Sequence, residues 1–267
     1  MLVLGFHRVR YEVVSYFRSM DAVFFTFLFP VVMLGIFAAA FSSDGTIVAK
    51  PGEAGISVGA YYLPGMVAAG ILLSGVQNLA VDIAGEKGDG TLKRLGATPL
   101  SPISYFMGKI GQVLITGILQ VALLLLVART VFGIELPTSS EAWVRFSWVF
   151  LLGILTSALL GIALSSVPRS SRSATAVVVP IVLILQFISG VYLRFDQLPQ
   201  WMQTIAGIFP LKWLAQGMRS VFLPSDFVSV EPGGTWNLAG VALMLGVWCV
   251  AGLIISRLTF RWVRLEN

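Results

Sequence analysis

The sequence predicts an all-α integral membrane protein of six transmembrane helices in one domain, with a further helix lying on the membrane surface before the first span. Three observations carry that prediction. Apolar residues make up 57% of the chain and charged residues 12%, about half the charged share of a soluble domain. The mean hydropathy is +0.87, and the apolar residues come in runs close to the 20 or so that cross a hydrocarbon core. The charges fall mostly between those runs, where loops would meet water.

Residues 1–21 read as the surface helix. Phe6, Val9, Val13 and Phe17 recur at three and four residues, with Arg8, Glu12, Ser15 and Ser19 on the opposite face. His7, Arg8, Arg10, Glu12 and Arg18 interrupt the apolar stretch that a cleavable signal peptide needs, so this segment is expected to be retained. An extension of the first span would have to carry three arginines, whereas a helix on an anionic leaflet is stabilised by them. Asp21 marks the expected bend. The spans follow at Ala22–Phe41, Tyr61–Ile83, Ile110–Ala128, Ser147–Val167, Ala174–Leu193 and Leu238–Phe260. In the third, Lys109 and Arg129 bracket 19 uncharged residues, close to the thickness of the bilayer core at about 1.5 Å per residue, so both were expected at the interfaces.

Six crossings put both ends on one side, and Lys and Arg decide which side is cytoplasmic. With the N-terminus inside, that side holds 12 of the 18 basic residues: Arg8, Arg10, Arg18, Lys87, Lys93, Arg94, Lys109, Arg169, Arg172, Arg257, Arg261 and Arg264. Basic residues spread in this way mark topology and form no dense patch for nucleic acid. The single cysteine, Cys249, allows no intrachain disulfide and no cysteine-based metal cluster.

The loop over residues 84–102 supplies charge, a helix start and a helix stop in order. Asp89 or Thr91 caps the start, Leu92 and Leu95 share a face, and Gly96 with Pro99 ends the helix. The two leucines beside a charged face suggest a docking surface. From Glu86 to Ser101 the chain resembles ABC-2 type permeases, in which an acidic run leads into Gly-Thr-Leu, a basic residue, Leu and then Ala-Thr-Pro-Leu-Ser. Gly90, Thr91, Leu92, Arg94, Leu95, Ala97, Thr98, Pro99, Leu100 and Ser101 match. The resemblance implies a coupling helix seated in a cleft of the nucleotide-binding subunit, with Glu86 and Asp89 joining the matching residues in the contact.

A second stretch, from Ser189 through Leu214 to about Arg219, resembles the same family's re-entrant exofacial hairpin, although family members usually carry Pro where this chain has Arg194. The resemblance places that hairpin at 194–224, before the last span, with Gly190, Pro199, Trp201, Pro210 and Trp213 as its marking residues. Proline and glycine interrupt helices there and the tryptophans favour an interface. Taken in order, the elbow helix, spans and motifs are similar to drug-resistance permeases of the daunorubicin-exporter type.

Two motifs resemble nucleotide-binding signatures but lack what such sites need. Gly85 to Thr91 has glycines at P-loop spacing, but Thr91 stands where the phosphate-binding lysine belongs. Leu73 to Gln77 echoes a cassette signature from inside an apolar span. ATP and magnesium are therefore expected on a partner ATPase, with no catalytic residue, cofactor or metal assigned to this chain. Within the spans, Gln77, Asn78, Gln112, Gln120 and Gln186 either line a substrate path or bond helix to helix. Gly153, Ser157, Gly161 and Ser165, every fourth residue, form a stripe for close helix packing.

The resemblance implies a permease subunit that moves an amphipathic drug, antibiotic or lipid-like substrate across a bacterial plasma membrane, working as a homodimer with two ATPase subunits among membrane lipids. A lipid-linked glycan exporter is the nearest alternative. A passive or ion-driven transporter lacks its usual sign, charge buried at midplane, and an intramembrane enzyme lacks paired carboxylates within the spans.

Overall fold

The computed structural model describes residues 2–41, 45–49 and 55–260, with side chains from Leu4 onward. Arg261 and Arg264, counted above for orientation, lie outside the described residues, as does Lys50. Helix α1 is Leu2–Arg18. Six helices long and apolar enough to cross a membrane follow among the described residues: α2 (Met20–Ala40), α3 (Val58–Gly88), α5 (Pro102–Thr130), α6 (Ser140–Leu164), α7 (Ser171–Ile188) and α10 (Leu238–Thr259). The short helix α4 is Thr91–Gly96, and α8 (Gln200–Ile208) and α9 (Pro210–Phe222) precede α10. The strands β1 (Thr46–Ile47) and β2 (Ile56–Ser57) pair antiparallel ahead of α3.

All six expected spans are present, and their ends moved for local reasons. At α3 the Ser57 side chain accepts from the Ala60 amide, and Ser139 does the same for Ala142 at α6. Ser170 and Ser173 form a reciprocal capping box that starts α7 early. The largest correction concerns α5. Ser101 caps it and Pro102 occupies its first turn, so Lys109 sits two turns inside the helix and is fully buried. It still lies near one end of α5, as the charge count suggested, but it faces protein and not water.

The centre of the molecule is α3, with 78% of its most apolar stretch buried, against 17% for α2 and for α10. Around it pack α2, α5, α6, α7 and α9. The small-residue stripe of α6 provides the closest approach. A Cβ on Gly161 would lie 2.1 Å from the Gly75 carbonyl oxygen, so only glycine lets α6 meet α3 there. At that level α3 widens into a π-helical segment, Leu73–Asn78, matched in α2 by Phe24–Leu28. Such segments interrupt the regular hydrogen-bond ladder and often mark functional sites.

Helix α1 covers most of the segment expected to form it. Glu12 and Tyr16 point inward, whereas Phe6, at 70% exposure, points out. The side it turns to α5 mixes Gly5, Arg8, Val9 and Glu12, while Phe6 and Phe17 face the surroundings. The chain breaks at Ser19, two residues before Asp21.

Candidate functional site

Two features meet at the α4 end of the molecule: the short helix itself and a charged cleft behind it. Helix α4 follows α3 through a sharp turn at Gly90, whose φ of 77° is left-handed and suits glycine. Asp89 accepts from the Thr91 amide at 2.9 Å. Hydrogen bonds from Thr91, side chain first and backbone second, hold the Asp89 carboxyl below the usual carboxylate range. Arg94 donates to the Thr91 hydroxyl at 2.9 Å, and the Thr98 hydroxyl to the Leu95 carbonyl at 2.7 Å.

The two leucines turn away from the outward surface of α4. Leu92 is buried and Leu95 packs partly against the same core; the outward surface is Lys93, Arg94 and Gly96 to Pro99. A surface recess of about 330 Å³ joins Thr98, Pro99 and Leu100 to Leu4, His7, Arg8 and Tyr11 of α1. Glu86 is turned inward too, into a network of charges.

At the centre of that network, the Lys109 ammonium donates to Glu12 at 2.8 Å, Asp82 at 2.6 Å and Glu86 at 2.9 Å. Arg8 adds a 2.5 Å pair with Glu12 and a longer contact, 3.4 Å, with Glu86. The Tyr105 hydroxyl donates to the other Glu86 oxygen at 2.5 Å. Burial pushes the Glu12 carboxyl above its ordinary value, opposed by Lys109 and Arg8. Oxygens of Glu12, Asp82 and Glu86 lie within 4.8 Å of one another, close enough to hold a metal ion, but the chain's own ammonium stands at their centre. Helices α1, α3 and α5 are thereby tied at one point. The predicted spans had offered no carboxylate pair. The missed signal was local: Asp82 and Glu86 are four residues apart on one face of α3.

One side of this network opens on a cleft of about 780 Å³ between α1, α2, α3 and α7. Three of the five intramembrane amides line it, namely Gln77, Asn78 and Gln112. Asn78 also donates to Thr26 at 2.7 Å, and Tyr16 donates to the same hydroxyl at 2.6 Å. The other two lie elsewhere: Gln120 is buried against Gly70, and Gln186 accepts from Tyr192 at 2.6 Å.

At the opposite end, Gly190 turns the chain at a φ of 78°. Pro199 precedes α8 and Pro210 opens α9, and neither helix reaches the length of a span. Gly207 does not interrupt; it lies within α8. Trp201 is exposed, while Trp213 donates to the Gly207 carbonyl at 2.7 Å and carries Lys212 3.7 Å above its ring. A buried pair that sequence reasoning did not find, Arg219 with both oxygens of Glu231, ties α9 to the segment before α10. Arg219 also reaches the Gly190 carbonyl.

Residues 50–258 match the ABC-2 family transporter proteins. The chain belongs to that family. It is accordingly a multi-pass membrane protein of a transporter family. Among curated proteins it is 19% identical to the "Probable multidrug ABC transporter permease YbhR" of Escherichia coli K12 over 186 residues, 70% of this chain and 50% of that protein. It is 25% identical to the uncharacterized protein YhgE of Bacillus subtilis strain 168 over 161 residues, 60% of this chain and 19% of that protein. The chain thus spans half or less of the length of these relatives.

Proposed function

We propose that this ABC-2 chain is the permease subunit of an ATP-driven exporter, moving an amphipathic drug, antibiotic or lipid-like substrate through a path completed by a second copy of itself. A separate cassette ATPase, carrying ATP and magnesium, supplies the energy. The α4 end is cytoplasmic in this reading, as are both termini, in keeping with the bias of Lys and Arg. The observation that carries it is mechanical: the outward face of α4 adjoins α1, and the Lys109 network clamps α1, α3 and α5 together. A push on α4 then moves a rigid body beside the cleft and not one loop, as two-state switching between packed arrangements requires.

The buried charges give the ion-driven reading an argument that the sequence did not supply. Their position weighs against it. Lys109 is seven residues from the start of α5, roughly 10 Å along a helix of about 43 Å, near one end and away from midplane, where coupling ions are bound.

Affinity purification of the chain from mildly solubilised native membranes, with mass spectrometry and an ATPase assay on the eluate, tests the proposal. A stoichiometric cassette ATPase whose stimulation is lost in Arg94→Glu is the expected result. Recovery of the chain without any ATPase would contradict it. Leu92→Asp is unsuited as the test variant because Leu92 is buried in the core.

A further inference from the structure

A second recess at the α4 end, of about 580 Å³, takes no part in the transport reading. Residues of α3, α4, α6 and α10 line it. Three of its lining residues are basic, Lys87, Lys93 and Arg169, and among the described residues no carboxylate lines it. Local structure puts these charges together. Lys87, in the last turn of α3, donates to the Ser166 and Pro168 carbonyls at 2.9 and 3.0 Å, which joins α3 to the chain leaving α6. A Cβ on Gly88 would lie 3.2 Å from the Arg169 carbonyl oxygen, so glycine lets Arg169 close on the same point. The Arg169 side chain is exposed and makes no ion pair among the described residues.

A second observation is independent of the charges. Ile83, Leu92 and Ile162 line the same recess and are buried, so its inner wall is aliphatic. Leu258 lines it too and is 74% exposed. It ends a stripe on α10, Val247, Val250, Ile254 and Leu258, exposed residues spaced at three and four. Because α10 is long and apolar enough to cross a membrane, this stripe meets hydrocarbon there and leads to the recess. Positive charge at one end of an apolar track suits a ligand with an anionic head and a hydrocarbon chain. A free phosphate has no use for the track. Basic residues at helix ends can also mark orientation alone; Arg10 and Arg18, exposed on α1 and absent from this lining, fit that description.

We propose that the recess binds the head group of an anionic phospholipid, its phosphate among Lys87, Lys93 and Arg169 and an acyl chain along the exposed stripe of α10. Basic recesses between helices at a membrane face suit this ligand, and an arginine offers phosphate two parallel charge-assisted bonds. Binding of the lipid needs neither an ATPase nor transport, so the proposal and the exporter reading fail separately.

Native mass spectrometry of the full chain in a neutral detergent reads the affinity of the first lipid bound. It is titrated with phosphatidylglycerol and, separately, with phosphatidylcholine of the same acyl chains. Phosphatidylglycerol is expected to bind more tightly by about fivefold or more, and Lys93→Gln with Arg169→Gln should weaken it by about tenfold or more, the combined effect of two basic residues at a membrane surface. Arg10→Gln with Arg18→Gln removes the same charge from α1 and should leave the preference intact. Leu258→Asp sets a carboxylate at the recess and should weaken phosphatidylglycerol severalfold. Size-exclusion elution reports folding, and if the recess double variant does not fold, Leu258→Asp decides. Glycerol phosphate as competitor separates a lipid site from a phosphate site: lacking the buried chain, it should displace the lipid only at a concentration about a hundredfold higher. Equal binding of the two lipids, equal losses in the α1 and recess double variants, or an affinity indifferent to Leu258→Asp would overturn the proposal. Displacement by glycerol phosphate at a concentration matching the lipid's would assign the recess to soluble phosphates and overturn it as well.

Discussion

The two ends of the molecule each bury charge, and they do it differently. At the end away from α4, Arg219 meets Glu231 with two parallel bonds, one cation to one carboxylate, closed off from solvent. At the α4 end, Lys109 and Arg8 serve three carboxylates, and one of those, Asp82, is half open to the cleft. A matched, enclosed pair has one low-energy arrangement, because breaking it strands a charge in a poorly polarisable interior. An over-acidic, half-open cluster can trade one partner for water or a ligand at modest cost. The first arrangement staples the fold; the second can respond to what enters the cleft.

The largest effect that would sharpen this contrast is at the closed pair. Arg219→Met is expected to cost about 3 to 5 kcal/mol, the usual result of stranding one buried charge, and Arg219→Met with Glu231→Met should recover most of it. Thermal midpoints in detergent measure both. A double variant as unstable as the single one would contradict the staple.

Lys109→Met should cost less, about 2 to 4 kcal/mol, since Asp82 can turn to water. Its deficit should also shrink as pH falls from 7 towards 5. Burial already raises the Glu12 carboxyl, and removing Lys109 raises it further. A group whose folded pKa is raised adds stability below its unfolded value and loses it as pH climbs through the folded one, so acid relieves the variant. A deficit independent of pH would place Glu12 outside the cluster's energetics. At the bottom of the scale, Asp82→Asn should change stability by no more than about 1 kcal/mol, given its exposure and the screening that brings. A loss as large as that in Arg219→Met would erase the difference between the two ends.

The spans, the short helix and the break-rich segment before the last span were legible because each is written in local sequence: apolar runs, serine caps, and prolines at first turns. The inward turn of Glu12 and Leu92 was not. Periodicity assigns a helix its two faces but does not say which one meets protein when lipid is the alternative, since lipid accepts an apolar face as readily as a core does. Thus Phe6 and Val9 share the apolar face, yet Phe6 faces out and Val9 packs on Gly111 of α5. Lys109 was misread for a related reason: a lysine at the edge of an apolar run ordinarily marks water, and here it marks three carboxylates drawn from α1 and α3, two of them remote in sequence by 97 and 27 residues. Only the 82/86 spacing pointed to it in advance. Among the amides, sequence could list five candidates for the path but could not separate Gln77, Asn78 and Gln112 in the cleft from Gln120 and Gln186 in packing.

The central claim is that the outward face of α4 engages a cassette ATPase. A photo-crosslinking residue placed at Thr98, exposed on that face, and at Leu243, 65% exposed on α10, tests it in native membranes. A crosslink to an ATP-binding cassette subunit is expected from position 98 and none from position 243. Failure to capture such a subunit at 98, with the chain folded and inserted, would contradict it.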